Sequence, residues 1–421
     1  MRIDLRYGEG SLPLEGNILE HYEMVTPSIA PEYPDLPSEV LRGLTNPDYS
    51  DGFSGISPES TIAIVVEGDI SLDDAKILLG SLFPSLTATG ILPENVSVLI
   101  ESPSLASRTI NEVNFLLGDP ISNGYRVEFL NPDNTDAFEY IGDTPMHATP
   151  LYVHTEFLKA DFRIGLGTIL PTPFGGATGG RMAMLPGATN TKTRRRNFRL
   201  MATRELGIFD IESAASQDMA EAAQLGNLDL IINTVDDWRE RVAKVVVGDP
   251  LMAWEKGVEV ARTLSKSRIS RRADISIVTA GGSRNDSTLF QAIDCLDAGM
   301  KATRHGGVII LVAECAQGSG PEGLVRGVSD AQTERELIFS AQTEYEFGME
   351  RARLLLRAMD SRNIVICSRL RNSLVEERLR CTPVRDPQEG LEVARGLVGS
   401  GTRVAVVPNG MRVFPKMNNR T

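Results

Sequence analysis

The chain has 421 residues, a hydrophobic fraction of 42% and a formal net charge of −13. These values predict a globular protein of about two domains, and the acidic balance argues against nucleic acid as a partner. The sequence contains no stretch of about 18 apolar residues, and no apolar leader follows Met1. The four cysteines do not show the spacing of a disulfide framework. We therefore expect a cytoplasmic protein with reduced thiols and without a membrane partner.

Short β-branched runs alternate with helical stretches along the chain. The predicted strands are residues 61–66, 96–100, 162–167, 228–232, 275–278, 307–312, 363–366 and 403–407. The predicted helical stretches are residues 71–79, 251–264, 288–300, 334–359 (one helix or two) and 387–395. Near-continuous apolar strands suit parallel sheets that are covered on both faces, so the pattern predicts an α/β fold. A hinge-like stretch places the domain boundary near residue 265, giving domains 1–264 and 265–421.

A glycine-rich loop, residues 175–187, follows the strand 162–167. Its backbone N–H groups could bind a phosphate or carboxylate. The glycines could instead only permit tight turns. The basic run 192–196 just beyond is either a further anion contact or a solvated face. The ligand-binding candidates in the loop are Gly176, Thr178, Gly179, Gly180 and Arg181.

The loop motif Gly-Gly-Arg…Leu-Pro-Gly at residues 179–187 resembles the signature of the nickel-pincer lactate racemase family. Further segments that resemble the family, in the same order, are residues 3–8, 160–169, 274–282, 289–292 and 306–312. The resemblance implies two α/β lobes, each a mainly parallel sheet flanked by helices, with an interlobe cleft. It also implies an isomerase of 2-hydroxy acids, in which a nickel pincer nucleotide carried by a loop lysine exchanges a hydride with the substrate.

The residues that the family uses are replaced in this chain. The resemblance places an arginine at Leu72, a catalytic histidine at Thr172, the cofactor lysine at Met182, a nickel-binding histidine at Phe198 and a second lysine at Asp294. A further catalytic histidine is expected within residues 101–108, which contain none. A thioether cannot form the thioamide link that an amine forms. The sequence therefore predicts no cofactor and no metal site, and it leaves open whether the protein is an enzyme.

Two further residues are candidates for ligand binding. His147 lies in a turn that could line the cleft, and Gln291 could hydrogen-bond a ligand or cap a turn. Asp294 could line the site or be a surface helix residue, and His154 is predicted to be solvated or on a helix face. None of the four histidines replaces those that the family uses.

The residues favour one function and leave two alternatives open. The favoured hypothesis is a divergent lactate-racemase homologue that binds a small 2-hydroxy acid-like or phosphorylated anion in the cleft, without hydride-transfer racemisation. Hydroxyl and acidic groups would line that site, with Glu101 or Asp294 as a base if burial raised its pKa. The lining candidates are Glu101, Ser102, Ser104, Thr172 and Asp294. The alternatives are a standard nickel-dependent lactate racemase and a non-catalytic protein that forms homo-oligomers or pairs with an active homologue.

Overall fold

The computed structural model describes residues 2–15, 22–29, 32–68, 70–101, 124–399 and 402–417. It divides into two compact units. The N-terminal unit comprises residues 30–200 and 205–263, and the C-terminal unit comprises Met1–Ile29, Met201–Arg204 and Leu264–Thr421. The first 29 residues therefore group with the C-terminal half, whereas the predicted domain 1–264 included them. The domain division itself, and the cleft between the lobes, stay predictions.

Strands and helices alternate through both units. The strands are, in chain order, β1 (Arg2–Tyr7), β2 (Gly10–Glu15), β3 (Tyr22–Met24), β4 (Ile62–Val66), β5 (Val96–Glu101), β6 (Arg126–Leu130), β7 (Phe138–Asp143), β8 (Pro150–His154), β9 (Phe162–Ile169), β10 (Leu230–Asp236), β11 (Val242–Gly248), β12 (Lys266–Ile269), β13 (Ala273–Thr279), β14 (Thr303–Val312), β15 (Asn363–Cys367), β16 (Thr382–Val384), β17 (Val404–Val407) and β18 (Phe414–Met417). The helices are α1 (Leu36–Thr45), α2 (Leu72–Ala88), α3 (Thr155–Lys159), α4 (Thr191–Thr203), α5 (Ala214–Leu225), α6 (Met252–Ser265), α7 (Ser283–Asp286), α8 (Leu289–Ala292), α9 (Leu296–Ala302), α10 (Glu322–Asp330), α11 (Glu334–Ala341), α12 (Met349–Met359) and α13 (Pro387–Val398). Among the described residues, no helix is long and apolar enough to cross a membrane.

The N-terminal unit is built on a six-stranded sheet in the order β11-β10-β9-β4-β5-β6. All neighbouring strands pair in parallel except β10 and β11. Of the strands in this sheet, β4 comes first in the sequence, and it lies in the middle. Strands β5 and β6 lie on one side of it, and β9 and β10 lie on the other. The direction of strand succession therefore reverses between β4 and β9, which creates a topological switch point at their carboxyl ends.

The C-terminal unit contains a second six-stranded sheet, fully parallel, in the order β16-β15-β14-β13-β17-β3. Its switch point lies between β13 and β17. The β1–β2 hairpin packs against this sheet, because Leu5 and Leu14 are buried in the same core cluster as Ile277 and Val406. Two of the partly exposed hairpin side chains, Ile3 and Leu12, cover that cluster.

The predicted α/β fold is confirmed, and all eight predicted strands are present within a few residues of their predicted ends. One helical prediction needs correction, and for another the structure decides between the two stated alternatives. The stretch 288–300 begins with a capping box formed by Thr288 and Gln291, and it is divided into α8, a 3₁₀ turn (Ile293–Cys295) and α9. The stretch 334–359 is two helices, since Gly348 adopts φ 109° immediately before α12.

One partly buried ion-pair cluster in the C-terminal unit gives a prediction about pH. Burial alone would raise the pKa of Glu334, but hydrogen bonds from Arg357 and Arg353 hold it below its usual value of 4.5. Arg353 also donates to the carbonyl oxygen of Met201, near the end of α4. We expect Glu334→Gln to destabilise the protein by about 2 kcal/mol at pH 7.

The sign of this pH effect follows from the lowered pKa. The carboxylate contributes stability above its unfolded pKa, and that stability is lost as the pH falls through the lowered folded value. Urea unfolding of the variant and the wild type should therefore differ at pH 7 and converge below pH 4. The exposed Glu336 on the same helix provides the control Glu336→Gln, which should have little effect. A difference that stays constant down to pH 3 would contradict this assignment.

Candidate functional site

The glycine-rich loop lies at the switch point of the N-terminal sheet. It leaves β9 at Leu170, while Glu67 follows β4 and Glu101 ends β5. Asn233 stands on β10, next to β9. Since ligands of open α/β sheets bind outside the carboxyl ends of the strands at this place, topology alone favours the loop as the functional site.

Thr178 holds the loop to the end of β9. Its hydroxyl donates to the carbonyl oxygen of Thr168 (2.6 Å) and accepts from the N–H of Leu170 (2.9 Å). Its own N–H donates to the carbonyl oxygen of Leu170 (2.9 Å), and its carbonyl oxygen accepts from the indole Nε1 of Trp254 (2.8 Å). These contacts commit Thr178 to loop structure.

The loop glycines are required by close approaches of the backbone. Gly176, Gly179 and Gly180 have φ values of 83°, 78° and 60°. A Cβ atom at Gly176 would lie 2.7 Å from the backbone carbon of Asp210, and one at Gly180 would lie 2.5 Å from the ring of Trp254. The interpretation that these glycines permit tight turns therefore has direct geometric support. The N–H of Gly180 is already used, because it donates to Oδ1 of Asn233 (2.9 Å).

Arg181 is a fully buried arginine inside the loop, with 1% of its surface exposed. Its Nη2 donates to the carbonyl oxygen of Gly175 and to Oγ of Ser216, both at 2.8 Å. The guanidinium carbon lies 3.7 Å from the ring centroid of Trp254, a close cation–π contact. Burial lowers the pKa of Arg181 to about 9, although the carboxylates of Glu67 and Glu255 partly offset this effect.

Two buried nitrogen donors beside the loop lack acceptors. Within the described part of the chain, neither Nη1 of Arg181 nor Nδ2 of Asn233 has a hydrogen-bond partner. Asn233 is completely buried. Because an unsatisfied buried donor is costly, such groups mark places where a water, an ion or a ligand supplies the acceptor. Both groups are donors that lack an acceptor, and an anion would supply one.

Three positions that the resemblance assigned to a catalytic, a cofactor-binding and a metal-binding group hold other side chains. Thr172 is buried, and its Oγ accepts from the N–H of Phe174 (3.2 Å). Met182 is half-buried, and its N–H donates to the carbonyl oxygen of Gly179 (3.2 Å). Phe198 is half-buried on α4. Leu72, the fourth such position in this unit, begins α2 and packs against the core.

Arg194 is one of the arginines in the basic run 192–196, and it has a structural role that the sequence does not predict. It lies on α4, and its Nε and Nη2 donate to the carbonyl oxygens of Thr189 and Gly187, both at 2.9 Å. Its Nη1 is 3.6 Å from Oε1 of Glu101, whose other oxygen accepts from the N–H of Gly68 (3.3 Å). Arg194 thus ties the end of the glycine loop to the carboxyl edge of β5. Ser102 and Ser104 lie outside the described residues.

Two of the histidines, His147 and His154, lie on the β7–β8 hairpin. His147 is half-buried in the turn between these strands, where its carbonyl oxygen accepts from Arg196 (3.2 Å). The prediction that His154 is solvated is wrong, because only 2% of it is exposed. Its Nε2 lies 3.3 Å from Oε1 of Glu128, and its ring meets Phe138 edge-on.

Gln291 and Asp294 belong to the C-terminal unit. The Oε1 atom of Gln291 accepts from the N–H of Thr288 (3.1 Å) in the capping box of α8. Asp294 is buried rather than a surface residue, with 6% exposed. It receives two hydrogen bonds from Arg351 (2.9 and 3.2 Å), whose guanidinium lies 3.9 Å from the ring centroid of Phe290.

Comparisons with known proteins match both halves of the chain. Residues 7–207 match the family model for the lactate racemase N-terminal domain, and residues 269–414 match that for the lactate racemase C-terminal domain. A lactate racemase of Thermoanaerobacterium thermosaccharolyticum is 26% identical over 328 residues, 76% of each chain. A lactate racemase of Lactiplantibacillus plantarum is 23% identical over 98% of this chain and 99% of its own length.

The fold of the chain is also similar to solved structures. The lactate racemase apoprotein from Thermoanaerobacterium thermosaccharolyticum superposes with a TM-score of 0.86 at 23% identity, covering 99% of this chain and 100% of that one. A protein from Thermotoga maritima matches with a TM-score of 0.66 at 13% identity, covering 91% and 97%. At these identities the structural matches establish the fold alone.

Proposed function

Because the chain belongs to the lactate racemase family, we propose that it binds a small 2-hydroxy acid-like or phosphorylated anion at the glycine-rich loop of its N-terminal unit. The observation that carries this proposal is the pair of buried donors without acceptors, Nη1 of Arg181 and Nδ2 of Asn233, within the described residues. A carboxylate or phosphate group would supply the kind of acceptor that each of these donors lacks. Relatives named lactate racemase support the 2-hydroxy acid class.

The expectation that no cofactor is used is wrong. Both family models and the curated relatives identify a family whose cofactor is a nickel pincer nucleotide, so a cofactor is implied for this chain as well. When bound, that group supplies a hydride acceptor.

The residues present do not fit covalent attachment of that group at the loop. The chain has a methionine at position 182 and no lysine between residues 160 and 191. All eight lysines lie among the described residues, and those that border this segment are exposed: Lys159 contacts Glu156, and Lys192 contacts Tyr152. We therefore route no step through a loop-bound pincer. In the proposed mechanism, Arg181 and Asn233 bind and orient the anion, and the buried loop excludes water from it.

A second candidate function is lactate racemisation itself, as the names of the relatives suggest. It is favoured by family matches that cover both halves of the chain and by a full-length relative with that activity in its name. It would need proton-transfer groups other than histidines at Thr172 and within residues 101–108. A role in protein pairing, with itself or an active homologue, stays a prediction.

Anion binding is tested by thermal denaturation of the purified protein with L-lactate, D-lactate or inorganic phosphate, at constant ionic strength set with sodium chloride. A ligand at 100 times its Kd should stabilise the protein by about 2.7 kcal/mol, because it binds only the folded state. We expect lactate or phosphate to raise the melting temperature. Equal effects of all anions, chloride included, would contradict a specific site.

The attachment of the cofactor is tested by intact mass. The protein is produced together with the enzymes that build the pincer nucleotide, as wild type and as Met182→Lys. We expect no covalent adduct on the wild type, because a thioether cannot form the thioamide, and an adduct on the variant, because the sequence of the loop otherwise resembles the family signature. Nickel that leaves the wild type on denaturation would indicate a non-covalently held cofactor and agree with this expectation. A nickel-containing covalent adduct on the wild type would contradict it.

A further inference from the structure

Glu67, Gly167 and Asn233 form one row across three neighbouring strands of the N-terminal sheet. Gly167 on β9 pairs in register with Asn233 on β10. On the other side of β9, Val66 pairs with Leu166, and the N–H of Glu67 continues this pairing by donating to the carbonyl oxygen of Leu166 (2.8 Å). Because residues in register on parallel strands point to the same face, the side chains of Glu67 and Asn233 lie on one face, with Gly167 between them.

The glycine-rich loop packs on this same face of the sheet. A Cβ atom at Gly165, two residues before Gly167 and hence on the face of the row, would lie 2.5 Å from Cβ of Ala183. Ala183 ends the 3₁₀ turn Gly180–Ala183, which contains Arg181. The first residue of that turn donates its N–H to Oδ1 of Asn233. The row therefore lies directly beneath the turn that carries Arg181.

Glu67 is a buried carboxylate that lies over Gly167, with 3% of the residue exposed. A Cβ atom at Gly167 would overlap the carbon and both oxygens of this carboxylate. The side chain of Glu67 therefore leans from β4 across β9, in the direction of Asn233. Burial lowers the pKa of Arg181, and the charge of Glu67 is the strongest effect that opposes it. Glu67 is thus near enough to act on the guanidinium that the proposed anion would contact.

The charges of this site favour a particular kind of anion. A carboxylate such as Glu67 repels the oxygens of a second anion but accepts a hydrogen bond from a hydroxyl group. A phosphate dianion would bring two negative charges beside Glu67, and a simple carboxylic acid would bring no donor. A 2-hydroxy acid carries one charge, and its hydroxyl group lies on the carbon next to the carboxylate. Only this class offers acceptors to Arg181 and Asn233 and a donor to Glu67 with a single negative charge.

We propose that Glu67 accepts a hydrogen bond from the hydroxyl group of the ligand, while Arg181 and Asn233 donate to the ligand's carboxylate. Glu67 is then the residue that makes the loop site select hydroxy acids over simple carboxylic acids and over phosphate. This contact rests on the proposed function, since it needs an anion at the glycine-rich loop. All three residues belong to the N-terminal unit.

The test compares L-lactate, D-lactate, propionate and inorganic phosphate in calorimetric titrations of the wild type and Glu67→Gln, at constant ionic strength. Propionate lacks the hydroxyl group. We expect the wild type to prefer lactate, and we expect Glu67→Gln to bind lactate about 10-fold more weakly, the lower end of the range for a hydrogen bond to a charged group. Its affinity for propionate should rise, because a negative charge next to the bound carboxylate is gone. The two acids should therefore respond in opposite directions.

A second variant, Gly167→Ala, moves the carboxylate without removing its charge. The three atoms nearest to the new Cβ all belong to the carboxylate of Glu67, at the end of a flexible side chain, so the side chain can shift while the strand stays in place. We expect this variant to lose the preference for lactate and to keep the propionate affinity of the wild type. Should Glu67→Gln not fold, this comparison decides the role of Glu67.

The matched control is Glu255→Gln. Glu255 is exposed on α6, and its charge also acts on Arg181, but it lies outside the row. Its loss should change the affinities for lactate and propionate alike.

The outcomes separate this contact from the proposed function. If the wild type binds none of the four anions, the proposed function fails, and this contact with it. If the wild type binds phosphate or propionate as tightly as lactate, the anion site stands and the role of Glu67 is overturned. The role is also overturned if Glu67→Gln keeps the preference for lactate. A variant that melts several degrees lower and loses both acids alike would show that Glu67 serves only as the structural counter-ion of Arg181.

Discussion

Gly180→Ala is expected to destabilise the N-terminal unit by about 3 kcal/mol. The new Cβ atom would lie 2.5 Å from the ring of Trp254, and the backbone at Gly180 has φ 60°. A non-glycine residue in the left-handed region costs about 1–2 kcal/mol, and overpacking of a buried site costs about 1–3 kcal/mol more. For a unit of this size, the melting temperature should fall by about 6–12 °C.

The matched control for this prediction is Gly80→Ala. Gly80 is exposed within α2, has no positive φ, and a Cβ atom there would meet nothing within 4 Å. That substitution should stabilise the protein by about 0.5–1 kcal/mol, because alanine favours the helix and restricts the unfolded chain. Differential scanning calorimetry of both variants measures the contrast. Similar melting temperatures for the two variants would mean that Trp254 does not pack on the loop as described.

The main strands were predictable because the residues that bury them are neighbours in the sequence. Runs such as 61–66 and 307–312 are short and almost continuously apolar, which is typical of a strand covered on both faces. The β1–β2 hairpin was harder, since β1 buries one residue, Leu5, and leaves charged neighbours on both sides. Its place in the C-terminal unit depends on packing against strands more than 250 residues away, and no local pattern reports that.

The candidate site was predictable in position but not in detail. The glycine motif located the loop, and the structure shows it at a switch point. The roles within it depend on partners that are distant in sequence: Asn233 for Gly180, Ser216 for Arg181 and Glu101 for Arg194. A basic run at residues 192–196 predicts a solvated face or an anion contact. The position of Arg194 on helix α4 directs its side chain inward to carbonyl oxygens of the loop. Only 14% of this side chain is exposed.

Substitution of Arg181 has the largest expected effect on ligand binding. Arg181→Met retains much of the side-chain volume against Trp254, but it leaves the carbonyl oxygen of Gly175 and both oxygens of Ser216 without their donor. The substitution removes the desolvation penalty of a buried charge, which favours folding. It also leaves buried acceptors without this donor, which disfavours folding. We expect a net loss of about 3 kcal/mol in stability and the loss of measurable anion binding.

The two roles of Arg181 are separable, because they use different nitrogens. Nη2 and Nε hold the loop, whereas Nη1 is the donor that the proposed anion would satisfy. Ser216→Ala removes the Oγ contact at 2.8 Å and leaves Nη1 intact, so it should lower stability by about 1 kcal/mol and preserve the affinity for lactate or phosphate. Arg181→Lys keeps a charge but loses the planar fork, so it should weaken binding while it retains part of the stability. Calorimetric titration at a temperature where all variants are folded compares them directly. If Arg181→Met binds the anion as tightly as Ser216→Ala does, the buried guanidinium serves only the loop and the anion site lies elsewhere.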